Sequence, residues 1–256
     1  MENENRRRHV VSVSIGSSER DHSVETEVLG VPFKVERRGT DGDVERARRM
    51  IADLDGKVDA LGLGGTDLYI TVGRKRYTLR SSLPLVNAAK KTPIYDGSIL
   101  KLSMEKEIVT QLCREGEFLD KSKKVLLVSS ADRFGMAEAF HDCGCEIIYG
   151  DLMFTLKMPL PLHSIGALKA VASVIAPVVS RLPIEMLYPT GDKQKSRTPK
   201  WESYYAWADI VAGDFHMVYK YMPDDMRGKV IVTNTTTAKN IEEFRRCGVS
   251  TVITSS

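Results

Sequence analysis

A lysine amine held by a carboxylate is among the simplest general acid–base pairs a chain can encode. This sequence offers one in Lys101 with Asp96 or Asp67. With its ammonium pKa drawn toward neutrality, such a lysine takes up or delivers a hydroxyl proton while hydride leaves the same carbon. The competing reading is a solvated lysine in a helix's first turn. His216, in GDFH, also has two readings: a group that polarises a carbonyl or shuttles a proton, or a cap for the helix FHMVYKYM.

A second kind of chemistry is suggested by VLLVSSADRFGMAEA, residues 125–139, which has the order strand, turn, helix of a dinucleotide-binding unit. Laying G-x-G-x-x-G so that its last position falls on Gly135 puts Ser130 first and Asp132 second. A carboxylate at the second position repels a pyrophosphate. Asp132 also has a structural reading, as the N-cap of the following helix, taking the amides a phosphate would use. In favour of a nucleotide, Asp151 closes the next strand about 20 residues after Ser130, where an acid accepts hydrogen bonds from an adenosine ribose. The turn is therefore a modified nucleotide site, with Ser129 and Ser130 in place of glycines, or a structural crossover. Leu152 and Met153 bring no arginine for a 2′-phosphate, which favours NAD over NADP.

Ligands of open parallel sheets bind beyond the carboxyl ends of the strands. The polar residues expected there are Ser17, Ser18 and Arg20 after the first strand, then Gly64, Gly65, Thr66 and Asp67, then Asp96, Ser98 and Lys101. Asp214 and His216, followed by Asn234 and Thr235, complete the set. The earlier group suits a substrate and the later one a cofactor, provided two lobes face each other across a cleft.

The elements that must position these residues alternate strand and helix. HVVSVSIG reads as a buried strand, VETEVLGVPFKVERR as a peripheral hairpin, and DGDVERARRMIADLDGK as a helix capped by Asp41 or Asp43 and stopped at Gly56. VDALGLGG and TPIYDG are short strands, with a hairpin turning at Gly73 to Arg76 between them. Ser98 to Leu119 carries the apolar spacing of one long helix bridging two lobes. The boundary is placed after residue 121: an α/β substrate lobe over 1–121, and over 122–256 a doubly wound parallel, Rossmann-like lobe. In the second lobe, KVLLVSS, CEIIYGD, DIVAGD, KVIVTN and TVITS are the strands and IGALKAVASVIAPVV is a buried helix.

Composition removes several classes. Thirty-seven basic against 34 acidic residues leave a net charge of +3, too balanced for nucleic acid as the main partner. No apolar run reaches membrane-spanning length. The MENENRRRH tail and the Arg74, Lys75, Arg76 and Arg80 cluster read as solvated charge. Cys113, Cys143, Cys145 and Cys247 lack paired C-x-x-C spacing and no secretory leader is legible, so reduced thiols in a cytoplasm are expected. Zinc held by His141, Cys143 and Cys145 is set aside, because Gly144 separates a helix end from a strand and points the side chains apart. Trp201, Tyr204, Tyr205 and Trp207 fall on a short helix suited to packing, to a homodimer contact or to a ring platform for a flat ligand, with packing or self-association favoured.

SVSIGSSERDHSVE, VDALGLGGTDLYI, TPIYDGS, LLVSSADRFGMAEA, LYPTGDKQ and ADIVAGDFHMVYKYMP resemble a group of bacterial proteins labelled quinate 5-dehydrogenase, over nearly the whole chain. The resemblance implies an N-terminal substrate lobe, a C-terminal NAD(P) lobe, and Lys101 with an aspartate of the first lobe serving a substrate hydroxyl. The asparagine, valine, threonine, proline and lysine signature of shikimate and quinate dehydrogenases is absent. The chain also stops at TVITSS, where such a dehydrogenase continues into another helix. Three functions follow as expectations. The first is an NAD(P)-dependent oxidoreductase acting on a secondary alcohol of a small quinate-like or shikimate-like substrate. The second is a non-redox ligand-binding or scaffold protein that has lost dinucleotide chemistry. The third is a non-redox enzyme using the Asp, Lys and His cluster.

Overall fold

The computed structural model describes residues 6–73, 75–183 and 197–255. The described chain forms two compact units. The first takes in the described residues of Met1–Ile70, Tyr77–Ser98 and Pro177–Gln194; the second takes in those of Thr71–Arg76, Ile99–Ala176 and Lys195–Ser256. The helix from Ser98 therefore belongs almost wholly to the second unit, whereas the sequence reading divides the chain after residue 121. The segment 184–196, with most of the polar loop after the apolar helix, lies outside the described residues, as do the first five residues of the tail and Arg74.

The first unit is a five-stranded sheet in the order β2-β3-β1-β4-β7, from β1 (Arg8–Ser14), β2 (His22–Val28), β3 (Val31–Gly39), β4 (Ala60–Gly64) and β7 (Ile94–Tyr95). β1 runs parallel to both β3 and β4, β4 runs parallel to β7, and β2 returns antiparallel on β3 as the expected hairpin. Of the hairpin only β2 is peripheral, because β3 lies between β2 and β1. Alternation along β1 and β4 sends Val11, Val13, Ile15, Leu61 and Leu63 to one face, where they pack with Ala47 and Ile51 of α1 (Val44–Leu54) and Leu85 of α2 (Leu83–Val86). Asp43 caps α1 by accepting from the Arg46 amide at 2.8 Å, and Gly56 takes the left-handed conformation just past its end. β5 (Tyr69–Val72) and β6 (Lys75–Thr78) make a separate two-stranded sheet, with Lys75 and Arg76 exposed.

The second unit is a parallel sheet in the order β12-β11-β10-β8-β9, from β8 (Lys124–Leu127), β9 (Glu146–Tyr149), β10 (Ile210–Gly213), β11 (Val230–Thr233) and β12 (Thr251–Thr254). Numbered within the unit this is 2-1-3-4-5, a doubly wound order whose direction reverses between β8 and β10. Val125, Leu127, Ile147, Tyr149, Ile210 and Ala212 face α3 (Ser98–Glu115), α4 (Phe134–Asp142) and α6 (Ile165–Val179). Leu126, Val128, Ile148, Val211 and Ile231 face the opposite layer. That layer is built by α5 (Asp151–Phe154), α7 (Glu202–Trp207), α8 (Phe215–Tyr221) and α9 (Ala238–Arg246). Both faces are covered, so the strands are apolar throughout rather than alternating.

Several expectations are corrected by packing. The long helix ends at Glu115 rather than Leu119, because Gly116 turns left-handed. α6 is buried only along the stripe of Leu168, Ala172 and Ala176, while Val174 and Val178 are exposed. Cys113 and Cys143 are joined by a disulfide with Cα atoms 6.1 Å apart, so the reduced-thiol expectation holds only for Cys145 and Cys247, and the cytoplasmic expectation loses that support. Among the described residues no helix is long and apolar enough to cross a membrane, and no three His, Cys, Asp or Glu side chains are grouped to hold a metal. The α7 aromatics pack as expected: Tyr205 is buried, its hydroxyl donating to the Val218 carbonyl at 3.2 Å, and Trp201, Tyr204 and Trp207 lie against the same core.

Candidate functional site

In a doubly wound sheet the crevice for a ligand opens where the strand order reverses, here between the carboxyl ends of β8 and β10. The chain leaves β8 through Val128, Ser129, Ser130, Ala131, Asp132 and Arg133 before α4 begins. Two amides of this turn are already bonded. The Asp151 carboxylate, at the end of β9, accepts from the Ser130 amide at 3.2 Å and the Ala131 amide at 2.8 Å. A pyrophosphate in a dinucleotide turn relies on backbone amides of this kind. Burial pushes the Asp151 carboxyl above its ordinary range, against the pull of the Ala131 amide.

Across the reversal point, the Asp214 amide donates to Ser129 Oγ at 2.9 Å, so a serine side chain ties the two turns together. The Asp214 carboxylate accepts from Arg133 at 3.1 Å, from the Asn234 side-chain amide at 3.1 Å and from the His216 backbone amide at 2.9 Å. Asp214 is thus the N-cap of α8, and His216 sits inside the helix instead of capping it. Asn234 Oδ1 accepts from the Phe215 amide at 2.9 Å, and Thr235 is exposed. Arg133, 1% exposed, also donates to the buried Glu105 of α3. Although burial works against every charge here, Arg133 holds the Asp214 carboxyl below its ordinary value, and Asp214 holds the guanidinium above its own. Burial wins at Glu105, whose carboxyl is raised.

Asp132 does not cap α4: the N-cap is Arg133, with no side-chain hydrogen bond. Both Asp132 oxygens lie 3.3 Å from Lys101 Nζ, an ion pair less buried than the Arg133 network. Gly135 performs the packing role of the last glycine in the nucleotide pattern, since a Cβ there would lie 2.2 Å from the Leu102 carbonyl oxygen of α3. The expected cofactor residues Ser129, Ser130, Asp132, Gly135, Asp151, Asp214 and Asn234 therefore gather around one turn, bonded chiefly to each other and to α3. Glu105 and Arg133 escaped the sequence reading. The signal was available: Glu105 falls on the same helical spacing as Leu102, Val109 and Leu112, a charge on an apolar stripe.

In the first unit, the expected substrate residues form the loop after β1. Ser17 Oγ accepts from the Glu19 amide at 3.1 Å, the Ser18 amide donates to Asp41 at 2.7 Å, and Arg20 is exposed. Arg37 organises them, donating to the Ser17 carbonyl at 2.9 Å, Asp21 at 2.8 Å and Ser14 Oγ at 3.0 Å. Gly65 is left-handed and Thr66 is buried, its hydroxyl 3.0 Å from Ser82 Oγ. Asp67 is buried too. Asp96 accepts from the Leu68 amide at 2.7 Å and the Ser98 hydroxyl at 2.8 Å, bonds that hold its carboxyl below the usual range against burial.

The fold and this turn define a Rossmann-like α/β protein. Residues 99–256 match the family described as Domain of unknown function (DUF8754), to which the chain belongs, and residues 9–96 match Domain of unknown function (DUF8753). No curated protein matches the chain. Among solved structures it is similar to one of the dipicolinate synthase polypeptides of Bacillus halodurans, with 10% identity and a TM-score of 0.32 over 96% of this chain and 89% of that one.

Proposed function

We propose that this chain is a non-redox ligand-binding or scaffold protein, taking a small polar molecule as its ligand, in which the Rossmann-like turn no longer receives a dinucleotide. The observation that carries this reading is the Asp151 carboxylate on the amides of Ser130 and Ala131. A pyrophosphate would have to displace it and would meet like charge from Asp132 nearby. Calorimetric titration with NAD+, NADH, NADP+ and NADPH is expected to give no binding heat. Micromolar binding of any of the four overturns the reading.

The second reading is an NAD(P)-dependent oxidoreductase acting on a secondary alcohol of a quinate-like or shikimate-like substrate. It is favoured by the 2-1-3-4-5 order and by the amine and carboxylate paired at the turn, Lys101 with Asp132. Under it, Asp151 turns outward to an adenosine ribose when NAD binds, and Lys101→Ala abolishes nicotinamide-dependent turnover while leaving cofactor binding intact. A Lys101→Ala effect on turnover without any nicotinamide would instead indicate a non-redox enzyme. A homodimer is part of both readings, and sedimentation velocity tests it.

A further inference from the structure

The β9 edge of the second unit carries a run of exposed apolar side chains. β9 is the last strand of its sheet on that side, and Tyr149 and Leu162 exchange backbone hydrogen bonds of 2.9 and 3.1 Å, which lays the stretch leading into α6 along its outer edge. Leu156, Met158 and Leu160 of that stretch are exposed. α6 closes the same edge of the helix layer. Glu138 of α4 lies 3.1 Å from Lys106 of α3 and 3.9 Å from Lys169 of α6, so α4 sits between the two and, among the described residues, α6 is the outer helix of that layer. Leu168 and Ala172 of α6 point inward, while Ala170 and Val174, one turn apart, face out, Val174 with 75% of its surface exposed. From Leu152 to Ala176 there is no acidic residue and no arginine, and Lys157 and Lys169 are the only lysines, although 28% of the chain is charged. Lys169 turns back to α4, its ammonium 5.3 Å from the centre of the Phe134 ring.

We propose that this edge is the interface of a two-fold homodimer, in which α6 of one copy lies antiparallel on α6 of the second. Both proposed functions include a homodimer; the inference rests on that and names the surface. A two-fold axis lays a patch on itself, so a charge near the axis meets its like. An outward face without acids, whose nearest lysine is turned to α4, escapes that repulsion. Ala170, with Gly166 and Ala167 a turn earlier, keeps side chains short where the helix axes approach to about 8–10 Å. Antiparallel axes set the positive end of each helix dipole beside the negative end of the other. Removing Leu160 and Val174 from water supplies the attraction. A bilayer surface is met instead by a face rich in lysine and arginine and by interfacial aromatic rings. This edge has two lysines, and the one aromatic residue between Leu152 and Ala176, Phe154, is buried.

The test is sedimentation velocity of the whole chain across micromolar concentrations, where the parent is expected to pass from monomer to dimer. Val174→Glu places a carboxylate at an already exposed position, so the dilute monomer keeps its Tm, and is expected to weaken the dimer about 100-fold. Leu160→Glu is expected to do the same and guards against a Val174→Glu chain that fails to fold. Val24→Glu, at an exposed apolar position of the first unit, is the control and is expected to dimerise like the parent. If the parent is a dimer and either folded edge variant dimerises equally well, or Val24→Glu is weakened as much, the proposed surface is overturned and the homodimer stands. A parent that stays monomeric overturns both. If that monomer binds phosphatidylserine vesicles and Val174→Glu does not, the edge docks on a membrane; if Val174→Glu lowers its Tm, another part of the same chain covers it. The nicotinamide titration that tests the ligand-binding reading is unaffected by any of these results.

Discussion

Asp151 accepts a 2.8 Å hydrogen bond from the backbone amide of Ala131, so the strand end that usually meets a ribose closes on the turn that usually meets a phosphate. The contact joins the first residue of α5, just past β9, to the turn between β8 and α4, and the Ser130 amide completes it.

Removing that carboxylate leaves two amides of a buried turn without their acceptor. Asp151→Ala is expected to lower unfolding stability by about 2–4 kcal/mol, read from urea denaturation. Asp151→Asn should fall between, because its amide nitrogen would face one of the backbone donors. A variant as stable as the parent would show that water or another group satisfies the turn equally well.

Gly135 tests the contact between α3 and α4. The carbonyl of Leu102 lies where a methyl would go, and a backbone atom cannot swing aside as a side chain can. Gly135→Ala is expected to cost about 1–3 kcal/mol despite alanine's better helix propensity, whereas an exposed helical glycine would gain from the same change. Unchanged or increased stability would mean the helices separate easily here.

Much of this architecture was legible in the sequence. Short apolar runs, separated by helical spacing, mark β8, β9, β10, β11 and β12, and an aspartate at 41 or 43 announces the start of α1, the structure choosing Asp43. What was not legible depends on side-chain direction or on pairing across the fold. Asp151 could be placed at a strand end, but whether its carboxylate turns outward to a ligand or inward to an amide follows from the β8–α4 backbone. Asp132 sits one residue before the helix cap, and that displacement hands its carboxylate to Lys101. Glu105 stands out as a charge on an apolar helical stripe, but its partners do not, since what pairs it and Arg133 when buried is each other and Asp214, far along the chain. The disulfide partners are 30 residues apart on two helices, a relationship no spacing rule contains.

That disulfide ties the last turn of α3 to the end of α4 across a sequence separation of 30 residues. By loop-closure entropy such a link is worth about 3.5 kcal/mol. Addition of a dithiol reductant, or Cys113→Ser with Cys143→Ser, is therefore expected to lower the midpoint of urea unfolding, and the double variant should no longer respond to reductant. A midpoint indifferent to reductant in the parent would show that the bond is not formed in solution.

In the first unit, Glu36 is bonded to Lys34 at 2.6 Å, to Arg38 at 2.7 Å and to His9 at 2.9 Å. The lysine and arginine bonds pull its carboxyl from 4.5 down to about 2. A depressed carboxylate contributes stability that is fully present above its unfolded pKa and is lost as pH falls through the folded one. Acid should therefore remove the Glu36 contribution between pH 4.5 and about 2. Glu36→Gln is expected to lower stability at neutral pH and to flatten the stability profile across that interval, so that parent and variant converge at its acid end. Parallel profiles would assign the acid sensitivity to other carboxylates, with Asp55, whose carboxyl is held down to about 2 by the Thr92 and Lys90 amides, the first to substitute next.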